Sequence, residues 1–395
     1  MKQLSTNYRA TAIASYIGYI TQAIVNNFAP LLFLTFTAIY GIPTEQITFL
    51  ITFNFGTQLL VDLLSPYVIR LFDYRVSVVL AHFSAALGMF GLAFFPAILP
   101  SPYAGLLLAV FFYAVGGGLI EVLVSPIIEA CPFEQKAAAM SLLHSFYCWG
   151  QLAVVLFSTL FFVSIGIEHW QWLACLWGLI PLGNAFFFLV VPLALSRDAS
   201  PGMSRRQLFS KRLFWLFLLM MLCAGAAELA MSQWASAFAE AGLGVTKTLG
   251  DLAGPCCFAL LMGMARVIYS KIDGKVGLYL FMLGSALLCI VSYLMAALAP
   301  HPVIGLIGCA LCGFSVGIMW PGTVSCAAKV FPQGGPVLFS SLALAGDLGC
   351  SFGPTLVGLL SASAGGGISG GLIAAVIFPV FLTAVLLSAR SLRNI

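Results

Sequence analysis

The stretch Ala104-Gly105-Leu106-Leu107-Leu108-Ala109-Val110-Phe111-Phe112-Tyr113-Ala114-Val115 carries no charge and no polar–apolar alternation. A strand of a membrane barrel alternates lipid-facing and lumen-facing residues, whereas a helix in hydrocarbon can be apolar all round. This stretch therefore reads as helix, and similar runs, such as 213–221, recur along the chain. Of 395 residues, 61% are hydrophobic and only 8% charged, with a mean hydropathy of +1.06. Soluble domains carry about 25% charged residues, so lipid must replace water around most of this chain.

A spanning helix needs about 20 apolar residues. Hydropathy read against Gly and Pro breakers predicts twelve spans: 10–40, 46–71, 76–98, 103–130, 137–165, 172–195, 213–240, 249–271, 276–298, 303–329, 337–361 and 370–390. The expected fold is an all-α membrane protein of two pseudo-symmetric six-helix halves. The first half is 1–196, a basic linker occupies 197–212, and the second half is 213–395. The linker carries Arg197, Arg205, Arg206, Lys211 and Arg212.

With an even number of spans both termini share one side. That side collects Lys2, Arg9, Arg70, Arg75, Lys136, the linker, Lys271, Lys275, Lys329, Arg390 and Arg393, against Lys247 alone on the other. Basic residues stay cytoplasmic, so both termini are expected in the cytoplasm and the chain in a plasma or inner membrane. No cleavable signal peptide is expected, because the first apolar stretch is long and lacks a small-residue cleavage site. The net charge of +4 is dispersed over short loops, which does not suit nucleic acid. Most of the 11 cysteines lie in apolar runs and read as small apolar fillers. Cys309 and Cys312 form a C-x-x-C with no second pair or nearby histidine to support a metal or redox site. No phosphate loop, metal cluster or nucleophile–base arrangement appears, so no enzyme and no resident cofactor are expected.

The halves repeat at a constant offset of 200 residues. Asp73-Tyr74-Arg75-Val76 maps onto Asp273-Gly274-Lys275-Val276, Pro100 and Pro102 onto Pro300 and Pro302, Ser125 onto Ser325, and Ser141-Leu142 onto Ser341-Leu342. Parallel repeats build one large class of secondary transporters, with the substrate site at mid-membrane. In its repeat, linker and charge sidedness the chain resembles the major facilitator superfamily. The hallmark loop after the second span keeps Arg70, Asp73 and Arg75 but lacks its usual glycines.

An ionisable group at mid-bilayer costs at least about 2.5–3.5 kcal/mol, so each one needs a reason. Glu121 lies in Gly116-Gly117-Gly118-Leu119-Ile120-Glu121-Val122-Leu123-Val124-Ser125-Pro126. A carboxyl there can hold and release a proton, as a proton-coupled carrier requires; the competing reading is a structural carboxyl bonded to a neighbouring helix. Glu228, followed by Gln233 and Trp234, offers carboxylate, amide and indole to a polyhydroxylated ligand, or else packs between helices. His144 and Gln151 lie seven apart on the fifth span, and Asn26 and Asn27 precede Pro30. Asn54 and Gln58 are four apart and share a face. All of these, with Trp320, are candidate substrate contacts; Glu121 and Glu228 are also candidate proton carriers. Asp62, Arg266 and Asp347 lie nearer helix ends and read as gate residues. Trp320-Pro321-Gly322 is expected to break the tenth span near its middle.

Several of these stretches resemble the fucose permease branch, the fucose–galactose–glucose proton symporters. They are Glu121 with Ser125-Pro126, Leu142-Leu143-His144-Ser145-Phe146-Tyr147, Gly225-Ala226-Ala227-Glu228 with Trp234, and Gly263 through Arg266. The resemblance implies a proton-coupling role for Glu121 and cavity positions for Glu228 and Trp234. The fucose permease has an acid in its first helix, after paired asparagines; here Asn26-Asn27 is followed by Phe28-Ala29-Pro30. Coupling then falls to Glu121 or Glu228, or to another ion such as sodium. The expected function is proton-coupled uptake of a sugar or similar polar solute by a monomer in the lipid bilayer. The alternatives are a proton-driven exporter of apolar drugs, for which 33 phenylalanines could line a cavity, and a non-transporting receptor or scaffold.

Overall fold

A computed structural model describes residues 7–133, 136–194, 203, 205–272, 276–363 and 367–388. Twelve helices among them are long and apolar enough to cross a membrane: α1 Tyr8–Tyr40, α2 Thr44–Ser65, α3 Leu71–Ile98, α4 Pro102–Ala130, α5 Leu142–Ile165, α6 Ile167–Val190, α7 Arg212–Ser232, α8 Lys247–Tyr269, α9 Leu278–Ala297, α10 Pro302–Val330, α11 Val337–Ala362 and α12 Gly367–Ser388. No strand occurs among the described residues. Lys2, Arg197, Asp273, Gly274, Lys275, Arg390 and Arg393 lie outside them.

Local chemistry sets the helix boundaries. α4 opens with Ser101 accepting from the Ala104 amide and Pro102 in the first turn, and α10 opens the same way with His301 and Pro302. Proline fits there because its missing N–H would be unpaired anyway. Helical backbone runs from α2 on into α3 and is interrupted at one residue, Asp73, at φ 64°, just inside α3. Its carboxylate accepts from the Tyr74 amide at 2.7 Å and its carbonyl accepts from the Ser77 hydroxyl at 2.6 Å. Aspartate is among the few non-glycine residues that tolerate positive φ, partly because its side chain bonds locally.

The chain forms two compact units. The first comprises Met1–Ile42 and Phe53–Ala199. Here α1 is the central helix, packed on α4, α5 and α6. Three consecutive glycines of α4 bring its backbone against three different helices. A methyl group on Gly116 would overlap Ala85 of α3, one on Gly117 would lie 2.9 Å from Val25 of α1, and one on Gly118 would lie 3.1 Å from the Gln58 Cα of α2. Small residues permit such approach between membrane helices, and they set Glu121, one turn on, beside α1 and α2.

The second unit comprises Pro43–Thr52 and Ser200–Ile395. Residues 43–52 group with it because Thr52 and Thr355 share a 2.6 Å hydroxyl hydrogen bond and Thr48 lies where a methyl on Gly358 would sit. The most extensive helix contact is α7 on α11. It runs backbone to backbone: a methyl on Gly349 or Gly353 would overlap the Leu222 or Ala226 carbonyl oxygen, and one on Gly225 would overlap that of Gly346.

Two expectations are corrected. The seventh span does not run unbroken over 213–240. Its helix stops at Ser232, Gln233 and Trp234 form a turn, and the chain resumes as Ala235–Ala237 followed by a π turn, Phe238–Gly242. The tenth span breaks at Gly317-Ile318, before Trp320, and resumes at Met319. Pro321 thus stands in the first turn of the resumed helix, where no N–H is needed.

Candidate functional site

In the first unit, α1 presents Tyr19, Gln22 and Asn26 along one stripe, at the three- and four-residue spacing of a helix face. Gln22, 3% exposed, donates from Nε2 to the Glu121 carboxylate. One turn away, the Tyr19 and Ser125 hydroxyls share a hydrogen bond of 3.0 Å. Asn26 Oδ1 accepts from Gln58 Nε2 at 2.8 Å and from Asn54 Nδ2 at 3.3 Å, while Gln58 Nε2 also donates to Asn54 Oδ1 at 3.0 Å. Glu121, Asn26, Asn54 and Gln58 are thereby brought together, with Gln22 as the member that charge-based reading overlooked. Its position four residues before Asn26 was the available signal.

Asn27 diverges from Asn26, donating to the Ala23 carbonyl at 2.9 Å and toward the Tyr147 hydroxyl of α5 at 3.4 Å. His144 and Gln151 do not form one surface despite their seven-residue spacing. Gln151 is 2% exposed, whereas His144, one heptad earlier on the same helix, is exposed and meets the Tyr19 ring edge to face, centroids 5.2 Å apart. Asp62 lies near the end of α2, its carbonyl accepting from the Ser65 hydroxyl at 2.8 Å. A second buried cluster lies off this stripe: the His82 imidazole contacts the Val78 carbonyl at 2.7 Å and Asn184 Nδ2 at 2.8 Å, and Asn184 also donates to the Ala14 carbonyl at 2.9 Å.

In the second unit, Glu228 is 9% exposed and Arg266 is close enough for its charge to act on the carboxyl. Arg266 Nε donates to the Gly317 carbonyl at 3.0 Å. That carbonyl lacks an intrahelical donor because the residue four positions on is Pro321, so the break in α10 creates the arginine's anchor. Trp234 is buried, and its indole N–H donates to the Pro354 carbonyl at 2.9 Å. Gln233 is buried in the same turn, separated from Glu228 by the end of the α7 helix. Trp320 lies over Gly346, next to the buried Asp347.

Sequence reading also passed over Asp251, a fully buried carboxylate. Its Oδ2 lies 3.1 Å from Lys247 Nζ, which also reaches Glu240 Oε1 at 3.2 Å, and the Ser236 hydroxyl donates to Asp251 Oδ1. The four-residue spacing of Lys247 and Asp251 was visible, but both fell at the edge of a predicted span. Two π turns, Phe238–Gly242 and Leu252–Cys256, flank the cluster. No group of three metal-binding side chains occurs among the described residues.

A twelve-helix membrane bundle with polar side chains gathered inside each unit defines a transporter rather than an enzyme. The sequence profile of the Major Facilitator Superfamily matches residues 11–354, and the chain belongs to that family. Solved structures agree in fold. The xylose transporter XylE from E. coli, in a partially occluded inward-open conformation, matches with TM-score 0.78 at 12% identity, covering 98% of each chain. A bacterial homolog of the human lysosomal transporter Spinster matches with TM-score 0.75 at 14% identity, covering 97% of each. The E. coli fucose:proton symporter FucP matches with TM-score 0.63 at 17% identity, covering 97% of this chain and 99% of that one. Comparison with curated protein sequences finds no match.

Proposed function

We propose that the protein is a secondary transporter working by alternating access, and that it takes up a sugar or similar small polar solute coupled to a proton. Glu121 carries the proton. Within the first unit the amides of Asn26, Asn54 and Gln58 are the solute-binding groups, and within the second they are Glu228, Gln233 and Trp234. Asp62, Arg266 and Asp347 serve the gates. Both termini face the cytoplasm of a plasma or inner membrane, and the monomer needs no nucleic acid, metal or resident cofactor.

The observation that carries this reading is the half-buried Glu121 carboxylate held by a neutral amide beside three further amides. Its mid-membrane cost of about 2.5–3.5 kcal/mol exceeds the roughly 0.6 kcal/mol that an interhelical hydrogen bond contributes in a membrane. Helix packing alone is therefore a poor reason to retain it. Amide clusters offer both donors and acceptors, which suits hydroxyl-rich solutes. Two neighbours in fold are named as proton symporters of xylose and fucose, which supports the same reading.

The test is uptake of a panel of labelled sugars into proteoliposomes. Accumulation under an inward proton gradient, absent without it and strongly reduced in Glu121→Gln, is expected. Accumulation driven by sodium instead, or expulsion of apolar dyes with no sugar uptake, would refute the assignment.

A further inference from the structure

We propose that Tyr19, Ser125 and His144 form the path by which the proton leaves Glu121 toward the Tyr8 end of α1. This rests on the coupling role of Glu121 given above.

The direction follows from the helix register. Along α1, Tyr19 then Gln22 meet, along α4, Ser125 then Glu121. One index rises as the other falls, so α1 and α4 run antiparallel here. Tyr19 and Ser125 lie on the side of the carboxylate nearer to where α1 begins and α4 ends. Helical backbone resumes at Lys136, soon after the end of α4 at Ala130, and runs on into α5. His144, exposed about two turns into that helix, packs on the Tyr19 ring. Carboxyl, paired hydroxyls and exposed imidazole therefore succeed one another toward one end of the unit.

The spacing suits proton transfer. Glu121 and Ser125 are one helical turn apart, a rise of about 6 Å, which a single water with two hydrogen bonds of about 2.8 Å bridges. Each hydroxyl accepts the incoming proton on an oxygen lone pair as it gives up its own. The imidazole takes the proton on its unprotonated ring nitrogen and yields a proton to water. The step ends with a Glu121 carboxylate, two unchanged hydroxyls and a neutral imidazole. Nothing is oxidised. Other titratable side chains near the path, among the described residues, include Glu129, exposed on α4 one turn beyond Ser125, Tyr16, stacked on Phe146 at 4.4 Å, Tyr147, which faces Asn27, and buried Cys131, whose thiol donates to the Ile127 carbonyl at 3.2 Å.

The competing role for Tyr19 and Ser125 is to staple α1 to α4. Tyr19→Phe separates the two, since it keeps the ring on His144 and removes only the hydroxyl. Proteoliposomes loaded with a pH-sensitive dye would report sugar-driven proton arrival, alongside gradient-driven accumulation and sugar counterflow, which needs no net proton movement. For Tyr19→Phe and Ser125→Ala, the ratio of accumulation to counterflow is expected to fall at least fivefold, with dye response falling in step. For His144→Gln, proton arrival is expected to fall at least fivefold and to recover when imidazole is added on the Tyr8 side. Unchanged ratios in both hydroxyl variants, equal losses of accumulation and counterflow, or no recovery with imidazole would overturn the path. Wild type lacking gradient-driven accumulation would instead overturn the coupling reading beneath it. Wild type coupled normally, with all three variants like it, overturns the path alone.

Discussion

The two units hold some of their candidate site residues in different ways. Along the α1 stripe of the first, side chains bond side chains: Gln22 to Glu121, Gln58 and Asn54 to Asn26, Tyr19 to Ser125. Around Glu228 in the second, side chains are tied to backbone oxygens: Arg266 to Gly317, Trp234 to Pro354, and Tyr293 to Ala227 at 2.6 Å. At least the first of these oxygens is set free by a proline. The first arrangement is a network in which each member orients the next. The second is a set of separately anchored groups. Substitutions should therefore interact in the first unit and add in the second.

The largest effect tests the frame that the anchored groups depend on. Gly349→Val pushes a side chain into the Leu222 carbonyl. It should cost more than the roughly 1–3 kcal/mol of ordinary overpacking, seen as loss of monodisperse protein or a sharply lowered thermal transition in detergent. Next is the ion-paired cluster of the second unit, whose side chains bond one another. Lys247→Met strands the buried Asp251 carboxylate and should destabilise by about 2 kcal/mol or more. Adding Asp251→Asn should recover most of that loss in chemical denaturation; simple additivity would show the pair to be incidental. Smaller still, Asn26→Ala and Gln58→Ala should show a coupling of about 1 kcal/mol in a double-mutant cycle. Trp234→Phe with Arg266→Met should add within about 0.5 kcal/mol. Coupling of equal size in both cycles would erase the contrast.

Much of this frame was legible in the sequence. The spans follow from the cost of placing charge in lipid, and eleven of them stand within a few residues of the hydropathy reading. Asn54 and Gln58 share a face because four residues make about one turn. The break in α7 was not legible: Gln233-Trp234 contains no Gly or Pro, and a helix that resumes through a π turn leaves no hydropathy signature. The break in α10 was seen but misplaced, because proline was read as the breaker when it serves as the starter. Gln22 went unremarked although other uncharged amides, Asn26 four residues on among them, were singled out; an uncharged amide is a fitting partner for a carboxyl that must change its own charge. His144 and Gln151 matched in spacing but not in surroundings, since spacing along one helix says nothing about where its neighbours end.

The glycine seam between α7 and α11 has a consequence for how selectivity can change. Where Gly225, Gly349 and Gly353 bring the two backbones together there is no room for a larger side chain, so this stretch of the pair resists being resized. Glu228 and Asp347 stand beside that stretch. Variants that accept a larger or smaller solute should therefore arise around the breaks at 233–234 and 317–318, where the helices are interrupted, and not along the seam.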